Sequence, residues 1–157
     1  MRKEIYEEIK RNIYDFRNAI EKAKEDGLFV KDISFHQFPR ACCGDASDLL
    51  GHYLLTKGIR TKYVCGNYYS DDEENGQSHA WLLLDDEIII DITGDQFRHN
   101  PIFLEYDNPV YIGPCDEFHS LFEVDDRDIR DITFVDELGA FCAPRLINLY
   151  SIITSYI

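Results

Sequence analysis

Long apolar runs and, over much of the chain, basic residues are scarce in this sequence. The unbroken apolar stretches Trp81–Leu84 and Ile88–Ile90 fall far short of the roughly 20 residues a membrane span needs. Residues 63–157 hold only 4 Lys+Arg against 20 Asp+Glu, whereas residues 1–62 hold 12 against 10. A chain of net charge −14 repels phosphate backbones and anionic lipid, so no nucleic acid and no membrane partner is expected. A charged start followed by an apolar stretch and a small-residue cleavage site is also missing. Five cysteines, an odd number without an export signal, point to free thiols in a reducing compartment. The expectation is a cytoplasmic protein. Neither Cys-x-x-Cys nor His-x-x-x-His occurs, and adjacent Cys42-Cys43 is poor chelating geometry, so no metal and no cofactor is expected.

What is present suits one folded domain. The chain has 157 residues, 45% of them hydrophobic and 29% charged, which is too ordered a composition for disorder and too short for a second core. Ile5, Ile9, Ile13, Phe16, Ile20 and Ala23 draw one apolar stripe at helical spacing, and Asp26-Gly27 ends it. This N-terminal helix, residues 1–26, reads as packing and capping. Residues 28–41 contain Pro39 and no clean period, and read as an ordered loop. A second helix is expected from Cys43 to Lys57, burying Ala46, Leu49, Leu50, Tyr53 and Leu54 and stopped by Gly58.

Strand signals follow at Thr61–Val64, continuing through Cys65–Tyr69, then at His79–Leu84 and Glu87–Asp91, the last two joined by a tight turn at Asp85-Asp86. The unbroken apolar stretches in the latter two predict strands covered on both faces. Beyond residue 98 the signals thin. Pro109–Gly113 suits a strand, Glu117–Val124 a strand or short helix, and Pro144–Ile157 a helix or strand. The class is α+β, helices first and an antiparallel sheet after, in a single domain spanning 1–157.

Three features bear chemistry. Cys42-Cys43 stands where a loop enters a helix, His79 begins a strand in Ser78-His79-Ala80-Trp81, and Asp91 ends the next strand after three isoleucines. A helix N-terminus favours a thiolate over a thiol, and a nearby imidazolium favours it further. Adjacent hairpin strands can set His79 beside Asp91, whose carboxylate then fixes the ring's tautomer and leaves the other nitrogen to the thiol.

The run from Cys43 to Asp91 resembles the core of the transglutaminase-like cysteine peptidase superfamily, itself related to papain. The residues that carry the resemblance are Cys43, then Gly58-Ile59-Arg60-Thr61-Lys62-Tyr63-Val64-Cys65-Gly66, then His79-Ala80-Trp81, then Asp91-Ile92-Thr93, within a core of residues 37–97. The resemblance implies a nucleophile helix packed on an antiparallel sheet, with Cys43 as nucleophile, His79 as general base and Asp91 as its orienting partner. Gly58 lies 15 residues after Cys43, the helix length of the family, which favours Cys43 over Cys42. Gln37 sits six residues before Cys43, where papain-like enzymes carry the amide that helps form the oxyanion hole. Asp95 is a fallback third member and a cleft-lining candidate, and Trp81 is expected to pack beside the site.

The implied function is a small thiol enzyme that cleaves an amide through a thioester, as a peptidase, isopeptidase or deamidase. The alternative is a non-catalytic acidic binding module, of inhibitor or immunity type, that keeps the fold. If the carboxylates of residues 63–157 surround the cleft, the protein or peptide partner is basic or neutral. Cys65, Cys115 and Cys142 read as small core residues, and His36, His52, His99 and His119 as surface or structural histidines. The acidic run Asp71–Glu74 is a solvated loop or a lid before His79. The acidic C-terminal part, residues 98–157, has no assigned role.

Overall fold

Helix α1 (Lys3–Glu25) buries Ile9, Ile13, Phe16, Ile20 and Ala23 as its spacing requires, and Gly27 at φ +77° ends it in the left-handed region that glycine adopts freely. Ile5, at the head of the stripe, remains 40% exposed. The computed structural model describes residues 1–72 and 76–157. Helix α2 (Cys43–Thr56) follows a loop that contains one short 3-10 turn at Phe35–Gln37. Helix α3 (Ala143–Thr154) closes the chain. All three helices contact one another, and α2 lies against the sheet.

The sheet has five antiparallel strands: β1 (Lys62–Tyr68), β2 (Gln77–Leu84), β3 (Ile88–Asp91), β4 (Tyr111–Gly113) and β5 (Ile129–Asp131), in the order β4-β3-β2-β1-β5. Asp85, Asp86 and Glu87 join β2 to β3; Asp85 and Asp86 have φ of 53° and 58°, paired positive values that suit the twist of the strands, and the Glu87 N–H donates to the Leu84 carbonyl at 3.2 Å. β2 is central. Its Leu82 and Leu84 face the helices, in a core shared with Ile13, Phe16, Leu49 and Leu54. Trp81 faces the opposite way, into a second core of Val64, Ile89, Phe97, Phe103, Phe118 and Phe122. Burial on both sides explains why β2 and β3 carry unbroken apolar stretches rather than alternation.

Phe97, Phe103, Phe118 and Phe122 cover the second face, while Val110, Ile132, Val135 and α3 join the first core. Glu117–Val124 supplies a 3-10 turn at His119–Leu121 and a single bridge from Glu123 to Asn67, rather than a full strand or helix. Strand β5 is short and lies at an edge with a half-buried and two exposed residues, too weak a pattern to stand out in the sequence. No helix among the described residues is long and apolar enough to cross a membrane. Of the acidic run Asp71–Glu74, Glu73 and Glu74 lie outside the described residues, and with them the lid expectation.

Candidate active site

Cys43 is the first residue of α2, so its backbone N–H belongs to a first turn whose amides have no partner within the helix. Its neighbour Cys42 is turned away. The Cys42 thiol is buried, donates to the carbonyls of Ser34 (3.3 Å) and Arg40 (3.2 Å), and is pushed up to about 12 by burial and the nearby Asp45 charge. Cys43 is only half-buried. Burial pushes its thiol up, but contact with the His79 ring, the charge of that ring and the Ala80 N–H outweigh burial and hold it below its ordinary value. Of the two adjacent cysteines, Cys43 is the one that meets a histidine.

His79 is fully buried on β2, with its Nε2 2.7 Å from Asp91 Oδ2 on β3. Burial favours the neutral ring, yet the Asp91 charge and hydrogen bond, together with Cys43, raise the imidazole to about 9. Asp91 is also buried. Burial opposes its charge, but His79 and His119 overcome that and hold the carboxyl well below the usual range. Its other oxygen, Oδ1, accepts from the Thr93 backbone N–H at 2.9 Å. Gly94 leaves the space this carboxylate needs, since a Cβ there would lie 3.2 Å from Asp91 Oδ2 and 2.7 Å from Tyr106.

The structure adds residues that the sequence did not single out. His119 Nε2 lies 2.8 Å from the same Asp91 oxygen that meets His79, while its Nδ1 lies 2.6 Å from Asp116 Oδ1. His119 is thus a buried, fully partnered histidine that belongs to the Asp91 network. Trp81 packs edge-on against His119, with ring centroids 5.0 Å apart, and beside His79 at 5.8 Å. The ligand atoms of His79, Asp91 and His119 lie within 4.8 Å of one another. Their separations of 2.7 and 2.8 Å are those of hydrogen bonds, and the trio accounts for its own donors and acceptors without an ion.

Gln96 approaches His79 from the other side. Its amide nitrogen donates to the Thr93 carbonyl at 3.1 Å and lies 3.3 Å from His79 Nδ1, the nitrogen not used by Asp91. Asp95, by contrast, is engaged by an arginine. Arg17 of α1 grips its two oxygens at 3.0 and 2.8 Å and also donates to the Ile92 carbonyl at 2.6 Å. The fallback role for Asp95 therefore gives way to an anchoring one, and α1 is tied to the turn that follows Asp91. A second anchor is Arg145 of α3, bound to Asp32 in the loop before Cys42 and to Asp45 in the first turn of α2.

A cleft of about 530 Å³ is lined by residues of segments 36–40 and 95–99, and Gln96 connects it to His79. Gln37 and Gln96 both line it. Gln37 thus stands in the cleft wall, and the amide recorded against His79 is that of Gln96.

No family model, curated protein or solved structure matches the chain.

Proposed function

We propose that the chain is a thiol hydrolase acting on an amide, built on a transglutaminase-like, papain-related core. What supports this reading is that His79 Nε2 lies 2.7 Å from Asp91 Oδ2 while the His79 ring holds the Cys43 thiol below its ordinary value. Cys43 as thiolate attacks the carbonyl carbon, and the oxygen gathers charge beside the unpaired amides of the α2 first turn, with Gln37 or Gln96 as the side-chain donor. The C–N bond then breaks as imidazolium His79 gives its proton to the leaving amine. Water, deprotonated by His79, hydrolyses the thioester, releases the acid and restores the pair. Asp91 stays ionised throughout and holds the ring in its working orientation.

Alkylation by iodoacetamide at pH 7, followed residue by residue by mass spectrometry, tests the reading. Cys43 is expected to react roughly tenfold faster than Cys65 or more, because a lowered thiol carries the larger thiolate fraction at this pH. Burial and the neighbouring Cys43 raise Cys65, so the two thiols are displaced in opposite directions. Equal rates would remove the activated thiolate and the proposal with it.

A further inference from the structure

The cleft that Gln96 lines, with its amide 3.3 Å from His79 Nδ1, is opposite in sign to the chain as a whole. Lys24, Arg40 and Arg98 line it together with His36 and His99, while its one carboxylate, Asp95, is already neutralised by Arg17. Elsewhere the basic residues of the acidic part are consumed. Among the four in residues 63–157, Arg127 pairs with Asp125, Arg130 with Asp48, and Arg145 with Asp32 and Asp45. Arg98 differs, for its Nε donates to His99 Nε2 at 3.2 Å and its terminal nitrogens carry no carboxylate among the described residues. Arg40, exposed three residues before Cys43, is likewise without an ion pair among the described residues. Two guanidinium groups that line one cleft, neither paired with a carboxylate among the described residues of a protein with 30 acidic residues, offer a place for a foreign anion. Guanidinium is the cation best matched to a carboxylate, which it can bind through two parallel hydrogen bonds.

We infer that this cleft binds the carboxylate side chains of an acidic peptide, held between Arg40 and Arg98 while the peptide backbone passes the Gln37 and Gln96 amides toward Cys43. The inference rests on the thiol-hydrolase reading for what happens to the bound peptide. It departs from the expectation of a basic or neutral partner, whose condition was that carboxylates surround the cleft. The net charge remains an overall repulsion, so binding depends on the local pair of arginines and is selective for a short acidic segment over an acidic protein surface.

Peptide binding to the Cys43→Ala variant, which cannot turn the peptide over, tests this. An N-acetylated heptapeptide amide alternating Ala and Glu is titrated against its Lys counterpart and against inorganic phosphate, with NMR shifts of the arginine Nε–H and glutamine side-chain signals as the readout. The Glu peptide is expected to bind at least about tenfold more tightly than the Lys peptide, to move the Arg40, Arg98 and Gln96 signals, and to lose that advantage in Arg40→Ser/Arg98→Ser. Equal binding, preference for the Lys peptide, no binding of either, binding indifferent to the arginines, or binding of phosphate in place of the Glu peptide would each overturn it. The iodoacetamide comparison of Cys43 with Cys65 is independent of these arms, so a failed thiol reading and a failed cleft assignment give different results.

Discussion

Asp91 and His119, 28 positions apart in the sequence, meet at 2.8 Å through one carboxylate oxygen and the ring Nε2, inside a core where both residues are 1% exposed. That same oxygen receives His79 at 2.7 Å. Asp91 is therefore held from three directions, by two imidazoles and by the Thr93 N–H. A buried carboxylate remains charged only when its lone pairs are satisfied, and His119 supplies one of those contacts while Asp116 holds His119 in turn.

Replacement His119→Asn shortens the side chain and withdraws it from Asp91. The expected loss is about 1–3 kcal/mol of stability, the usual cost of leaving a buried polar group short of a partner. The sign of the pH effect follows from Asp91. Its carboxyl is lowered on folding, so its contribution is present above the unfolded value of about 3.9 and is lost as pH falls through the folded value. Without His119 the carboxyl is lowered less, and acid unfolding followed by circular dichroism begins at a higher pH. An unchanged acid midpoint would show that His119 only fills space.

Arg17 carries a similar test at the other end of the site. It is buried with a side-chain exposure of 6%, and Asp95 with 8%. Arg17→Ala strands that carboxylate and frees the Ile92 carbonyl, so the expected destabilisation is about 3–5 kcal/mol, as for other buried pairs broken on one side. Urea denaturation measures it directly. A loss below about 1 kcal/mol would place the pair among solvent-screened surface bridges.

Much of this arrangement was readable along the chain because it is local. The α1 stripe, the α2 face, the Gly58 stop and the β2–β3 hairpin each rest on residues a few positions apart, and the structure has them within one or two residues of the expected ends. Arg17 had a signal too, since it lies four residues after Ile13 and three before Ile20, on the apolar stripe itself. A cation in that position calls for a buried partner. His119 had none of comparable strength. Its flanking Phe118 and Phe122 announce burial, but the carboxylate it meets comes from a strand far upstream. The cleft's sign was illegible for a related reason. Net charge counts every side chain equally, whereas the local field depends on which arginines the fold has already paired.

Gly94 offers a steric test that leaves every charged group in place. A methyl there would meet Tyr106 at 2.7 Å and the Asp91 carboxylate at 3.2 Å, closer than ordinary packing permits. Gly94→Ala is expected to cost about 1–3 kcal/mol as overpacking and to slow Cys43 alkylation by turning Asp91 out of line with His79. Gly58→Ala is the control: a Cβ at Gly58 meets nothing within 4 Å, although its φ of +77° carries its own strain. Loss of stability in both variants with slowed alkylation only in Gly94→Ala is the expected pattern; equal alkylation would detach Gly94 from the relay.

The pH dependence of turnover and of alkylation should separate the two halves of the thiolate–imidazolium pair. Cys43 lies below the ordinary thiol value, so both rates rise below the pH of about 8.5 at which a free thiol ionises. They part at higher pH. Amide cleavage needs the His79 proton for the leaving amine and declines as the ring, raised to about 9, loses it. Alkylation needs only the thiolate and shows no such decline. Asp91→Asn removes the charge that raises His79, so the descending limb for cleavage shifts to lower pH and the maximal rate falls by roughly a hundredfold or more, within the range of general acid–base contributions. Rate profiles of the two reactions on wild type and Asp91→Asn, taken at matched ionic strength, provide the comparison. A descending limb that stays in place without Asp91 would mean that His79 owes its proton to some other group, and the relay from Cys43 to Asp91 would have to be redrawn.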